Sequence, residues 1–174
     1  MKLKTLAVSC CVLTELFLPG CGDRNSADQG VTSTHSDGLS TVASVRTDKG
    51  EITLRLEIAA DSESQEKGLM GRKRLPAGSG MLFPFDPPRT PNFWMKGTLI
   101  PLDLIFIRSD GTISAIMTGK PGDLTPISTG QPVRGVIEIG GNEAKRLGIS
   151  KGDRVTWGKC EDKGESDPLS FCPY

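Results

Sequence analysis

Histidine is almost missing from this chain. The single His35 lies in a polar stretch, so the segment from Thr41 onward contains none. That absence excludes, for this segment, hydrolysis of the Ser-His-Asp kind and metal sites built on imidazole. An excess of one charge is missing too, because Lys+Arg and Asp+Glu both number 21. No basic surplus points to nucleic acid, and none is expected as a partner. Long hydrophobic runs are lacking: the most apolar stretch, near the N-terminus, is short and broken by Thr14 and Glu15, too interrupted to span a bilayer well. Internal repeats are absent. Glycine and proline, in contrast, are plentiful at 21 and 12 residues. They favour turns and short strands over long helices. A length of 174 residues suits one ordinary domain with tails.

The first residues, "MKLKTLAVSCCVLTELFLPGC", combine Lys2 and Lys4 with a short apolar region and the run Leu18-Pro19-Gly20-Cys21. A basic start followed by a short apolar region is the pattern of an export signal. The small residue directly before Cys21 resembles a bacterial lipobox, which implies removal of residues 1–20 and a lipid on Cys21. The membrane is then a partner through that lipid, and the expected location is the cell envelope, facing the periplasm or the exterior. Residues 21–40 carry the lipid site and a polar linker rich in Ser, Thr, Gly and Asp. Such a tether spans about 25 Å and leaves orientation free. Cys160 and Cys172 remain as an even pair in an oxidising compartment, and a disulfide is expected between them.

Between the linker and a tail at 159–174, residues 41–158 read as one β-rich domain. "TVASVRT" and "EITLRLEIA" form a hairpin around Asp48-Lys49-Gly50, the second run alternating apolar and polar residues. A short helix follows in "DSESQEKGLM", with Ser62 and Gln65 as a capping box. Residues 71–101, with six prolines, read as a long irregular stretch, yet one too apolar to lie free in water. "LDLIFI" and "TISAIMT" make a second hairpin around Ser109-Asp110-Gly111. "VRGVIEI" is a further strand, and "GNEAKRLGI" a short helix capped by Asn142 and stopped by Gly148. "GDRVTW" closes the domain. The fold class is mainly β with two short helices, arranged as a compact pseudo-barrel or a folded-over mixed sheet.

The segments "GLMGRKRL", "GMLFPF", "FWMKGTLIPLDLIFI", "VIEI" and "GISKGDRV", in this order and spacing, resemble the prokaryotic family called domain of unknown function 192, over residues 42–158. The resemblance implies a small β-rich pseudo-barrel and no established activity. The family motif Trp-Met-x-Asn-Thr carries Gly97 here in place of Asn, a residue able to supply the positive φ that Asn also tolerates.

Several residues are candidates for chemistry. Asp103 opens a strand that is otherwise apolar on both faces, where an unpaired charge is expensive. Its expected partner is Arg72, whose fork matches a carboxylate, or the backbone N–H groups of the 94–98 turn. Glu138 is a lone carboxylate within "VIEI", and Glu57 sits near the end of "LRLEI". With Trp94, Met95 and Thr98 these define the expected ligand-binding set: Arg72, Trp94, Met95, Thr98, Asp103, Glu57 and Glu138. The first reading is a non-enzymatic domain binding a small ligand or an envelope protein at a Trp94/Met95 lip near Asp103 and Arg72. A second is a carboxylate hydrolase with Asp103 and Glu138 as acid and base, and a third is a structural or assembly role in the envelope. No cofactor and no metal is expected, since the carboxylates are dispersed without Asp-x-Asp spacing.

Overall fold

The structure, a computed structural model, describes residues 38–160 and 169–173. The expected signal at 1–20, Cys21, His35 and nearly all of the 21–40 linker lie outside the described residues. Among the described residues no helix is long and apolar enough to cross a membrane.

Seven strands and two short helices follow in the order β1 (Ser40–Thr47), β2 (Gly50–Ile58), α1 (Ser62–Lys67), β3 (Ser79–Arg89), β4 (Leu102–Ile107), β5 (Ile113–Gly119), β6 (Val133–Gly140), α2 (Glu143–Leu147) and β7 (Arg154–Trp157). They form one mixed sheet in the order β5-β4-β6-β3-β2-β1-β7, antiparallel except where β2 runs parallel to β3. The sheet is not closed into a barrel. Its two ends are tied by an isolated bridge between Thr112 and Arg154, where Ile113 N donates to Asp153 O and Val155 N donates to Gly111 O, both at 2.8 Å.

The apolar stretch expected to be irregular contains β3, which lies between β2 and β6. Its prolines are accommodated by geometry. Pairing with β2 ends at Leu82, so from Phe83 onward β3 has a ladder only with β6, and that register shifts between Pro84 and Arg89. Proline is tolerated where a strand has one free edge.

Alternation sorts the core onto two faces. On one, Leu82, Ile105, Ile137 and Ile139 pack with Val45, Trp157 and the α2 residue Ala144. On the other, Met81, Phe83, Leu104, Phe106 and Val136 lie beneath α1 and the segment leading into β4. β4 is buried along its whole length.

The helix caps differ from expectation by small shifts. Asp61, rather than Ser62, caps α1: its carboxylate accepts from Ser64 N at 2.8 Å, and its own N–H donates to Ser64 Oγ at 3.2 Å. The Ser64 N–H holds the Asp61 carboxyl below the usual range. Gln65 instead donates to Ala59 O at 3.0 Å. Asn142 occupies the α2 N-cap position with φ 65° but makes no capping hydrogen bond through its side chain, whereas Gly148 ends that helix in the left-handed region with φ 79°.

The tail returns to the core. Gly158 turns with φ 81°, and Phe171 pairs with Trp157 through reciprocal backbone hydrogen bonds of 2.8 and 3.1 Å. The two rings lie 4.4 Å apart, and Phe171 is buried in the Trp157 core. Cys160 and Cys172 stand at bonding distance, with Cα atoms 5.7 Å apart, and hold this return in place. A stabilising contribution confined outside the core is therefore not what the tail offers. Phe171→Ala is expected to lower the unfolding free energy by about 3 kcal/mol. Replacing both cysteines by serine removes up to about 3 kcal/mol more by releasing the closed loop. Chemical denaturation reads both, and an unmoved midpoint in Phe171→Ala would remove the tail from the core.

Candidate functional site

The segment between β3 and β4 is positioned by backbone bonds to the connection between β5 and β6. Phe93 and Ile127 exchange hydrogen bonds of 3.0 and 2.8 Å, Met95 N donates to Asp123 O at 2.9 Å, and Ser128 Oγ donates to Pro91 O at 2.7 Å. On its other side Gly71 N donates to Gly97 O at 2.9 Å. Gly97 has φ 66°, a left-handed conformation that Asn also adopts. These ties, with Phe93 and Met95 packed onto the sheet, hold the segment in place, and a cavity of about 460 Å³ opens between it and the end of α1. This is within the usual range of roughly 300–1,000 Å³ for small-molecule sites.

The aromatic walls are Phe83, Phe85, Phe93 and Trp94, with Thr98 and Glu138 among the polar lining residues. Phe83 and Phe93 meet edge to face at 5.1 Å and 88°. Trp94 is half exposed at the rim, close to Lys96. Arg89 lies over the Phe85 ring at 4.2 Å and donates to the Gln65 side chain. Gly68 leaves room over the floor: a Cβ there would lie 3.4 Å from Phe83 Cζ and 3.9 Å from Glu138 Oε2.

Glu138 is the unusual member. The residue is only 4% exposed, and its carboxyl makes no hydrogen bond among the described residues and opens instead to the cavity. Burial alone pushes its pKa up to about 8, so at neutral pH it is mostly a neutral acid. Thr98 is also largely buried, and its hydroxyl, which makes no hydrogen bond among the described residues, opens to the cavity.

Asp103 has a different fate. Its Oδ1 accepts from Thr118 Oγ1 at 2.7 Å and its Oδ2 accepts from Ala144 N at 3.1 Å. It therefore caps α2, in place of Asn142, and does not pair with Arg72 or the 94–98 turn. Arg72 bonds to Glu57 at 2.5 Å in a half-exposed pair. In cross-strand register Asp103 aligns with Ile139, whereas Glu138 aligns with Leu104 and Met81. Asp103 and Glu138 consequently point to opposite faces of the sheet, and an acid–base pair acting on one substrate is ruled out by geometry. Glu57, opposite Met81, shares Glu138's face two strands away, roughly 10 Å.

Of the expected set, Trp94, Thr98 and Glu138 come together in the cavity. Arg72, Glu57 and Asp103 do not line it, and Met95 points inward to the core, where a Cβ on Gly119 would lie 2.5 Å from its sulfur. Gly68, Phe83 and Phe93 were not anticipated as site residues. A second hollow of about 490 Å³ borders Asp103 on the other face, but there the carboxylate is already satisfied.

The model of the family domain of unknown function 192, described as uncharacterized ACR, matches residues 43–157. The chain belongs to that family. The matched span of this domain of unknown function 192 runs from β1 to the end of β7 and contains the whole cavity. A Sinorhizobium meliloti 1021 structure, named as a candidate transcription regulator, is similar with TM-score 0.65 and 38% identity over 68% of this chain and 93% of that one. A Novosphingobium aromaticivorans DSM 12444 structure of unknown function is similar with TM-score 0.67 and 36% identity over 78% of this chain and 99% of that one. Curated proteins yielded no match.

Two outcomes follow from the carboxylates. Glu138 is held above its ordinary value near 4.5, so the folded state binds the extra proton between that value and about 8. Its contribution to stability is full below pH 4.5, declines as pH rises, and is lost above about 8. Glu138→Gln should flatten that decline in denaturation curves taken across pH; an unchanged slope would place the titration elsewhere. Asp103→Ala should cost about 1–3 kcal/mol by stranding the buried Ala144 N–H. Combined with Arg72→Ala, the two losses should simply add, and coupling in the double-mutant cycle would contradict the separation described.

Proposed function

We propose that this chain is an exported, lipid-anchored domain that binds a small ligand in the cavity above Glu138. The observation that carries the reading is a largely buried glutamate whose carboxyl, with no hydrogen bond among the described residues, opens to a cavity lined by aromatic rings. A buried polar group is normally hydrogen-bonded, and one left open toward a cavity is a group that a ligand can satisfy. The anchor is Cys21, whose setting behind a basic, apolar start motivates the tether. Tethering keeps the domain near the membrane while leaving the cavity free to meet molecules of the periplasm or exterior.

A binding role is preferred to hydrolysis because Asp103, the second carboxylate a hydrolase would use, is committed to α2 on the opposite face. The regulator name of the Sinorhizobium relative is not adopted, since 21 basic and 21 acidic residues leave no surplus for DNA.

The reading is tested by a thermal-shift screen of small molecules against the full chain and its Glu138→Leu variant. Ligands of the cavity raise the wild-type midpoint and leave the variant unmoved; equal shifts in both would defeat the proposal. Mass spectrometry of the membrane fraction should find an acylated Cys21 at the mature N-terminus, and a soluble unmodified protein would remove the tether.

A further inference from the structure

We infer that the cavity selects a small organic ammonium ion, its cationic head on the Glu138 carboxylate and Thr98 hydroxyl and its apolar body along Phe83, Phe93 and Trp94. The inference rests on the ligand-binding reading above and adds the chemical class of the ligand.

The argument starts from what Glu138 lacks. Its side chain is buried and has no donor or cation beside it among the described residues. Ionising a carboxyl in such a place is costly unless an opposite charge arrives with its own hydrogen-bond donors. An ammonium group supplies both. The charged residues sharing the cavity lining are Glu66 and Lys67 from α1 and Arg89 from the end of β3, while the Glu57–Arg72 pair lies two strands away on the same face. None of these acts measurably on the Glu138 carboxyl, whose ionisation is governed by burial alone. Arg89 is engaged elsewhere, over Phe85 and against Gln65.

The walls favour the same class. Phe83 and Phe93 meet edge to face beside Trp94, and aromatic faces attract cations, most strongly in desolvated sites. The Arg89 guanidinium seated at 4.2 Å over the Phe85 ring is an internal instance of that attraction in this cavity. Thr98 offers a hydroxyl lone pair as a further acceptor. At Glu138 itself an anionic head would meet an acid, the cations of the lining being Lys67 and the engaged Arg89, and a purely neutral one would leave the carboxylate form unused.

The proton balance gives a signature. Near neutral pH the Glu138 proton passes to the buffer as the ammonium ion binds, and the carboxylate formed pairs with the cation. One proton is released per ligand, so affinity rises about tenfold per pH unit between pH 6 and 8 and levels off above. Isothermal titration calorimetry of the full chain with phenethylammonium chloride, 2-phenylethanol and 3-phenylpropionate tests this. In buffers of different ionisation enthalpy, phenethylammonium should bind with release of one proton at pH 7, and the alcohol and the acid should bind at least about tenfold more weakly. Glu138→Gln should lose about tenfold or more in affinity together with the pH dependence. The wild-type pH profile reads the same point should that variant fold poorly. Affinity for phenethylammonium that is flat or falls with pH overturns the inference. Tighter binding of the alcohol or the acid in the cavity overturns it too, while preserving the ligand-binding reading. Binding of none of the three overturns the ammonium inference; the broader reading then stands or falls on the thermal-shift screen.

Discussion

β4 has no solvent-facing side, and much of the molecule follows from having to cover it twice. Every residue from Leu102 to Ile107 is buried, so each face of the sheet needs its own lid. One lid is α2, a helix of five residues, far too short to be stable alone. It is fixed from below by Asp103, which offers its carboxylate to the Ala144 N–H, and from the side by Glu143, whose Oε1 accepts from Gly78 N at 2.7 Å. A polar residue at the start of an apolar strand is thus the means by which the sheet holds its cover. Removing the carboxylate would leave the buried Ala144 N–H without this acceptor.

The second lid works differently. Residues between β3 and β4 are held by backbone bonds to the 122–128 connection and by Phe93 and Met95, which pack onto the sheet. Protein interiors are usually packed as densely as organic crystals, so a cavity of about 460 Å³ against the sheet forfeits contacts that a tighter lid would make. Placing an unpartnered carboxyl in that space adds a further cost. Departures of this kind, where a largely buried carboxyl faces unfilled space, are expected at functional sites. The two faces therefore differ: on one the buried carboxylate of Asp103 is hydrogen-bonded, on the other the carboxyl of Glu138 opens to the cavity.

Sequence pattern made the strands of both hairpins legible, because alternation in "EITLRLEI" and unbroken apolarity in "LDLIFI" translate directly into burial. Both helices were legible in place, although the capping side chains were not, since Asp61 and Asp103 win over neighbours equally suited by type. β3 was hidden by its prolines, whose tolerance depends on where the β2 ladder stops, a tertiary fact. Within the site, Glu138 and Trp94 stood out as a charge and an indole in unusual settings. Their separation from Asp103 was not visible, because the register of β4 against β6 decides which face each carboxylate takes. The apolar content of residues 81–95 was the one signal for Phe83 and Phe93, and it says that they pack, not that they line a space.

The C-terminal return lies beyond the family span that ends at residue 157, and it adds to the face that carries Trp157. Phe171 extends the Trp157 core, on the opposite side of the sheet from Glu138. One residue reaches toward both regions. The Arg134 guanidinium lies 5.5 Å from the Phe171 ring and also donates to Phe85 O at 2.7 Å, at the cavity wall. Its ion pair with Asp86, at 3.1 Å, keeps it there, although Asp86 is exposed and the pair itself is worth little. The hydrogen bond to the Phe85 carbonyl matters more, because it fixes the strand end on which Phe85 and Arg89 are carried. Loss of the tail would then act mainly on stability through Trp157, with Arg134 linking it to the cavity wall.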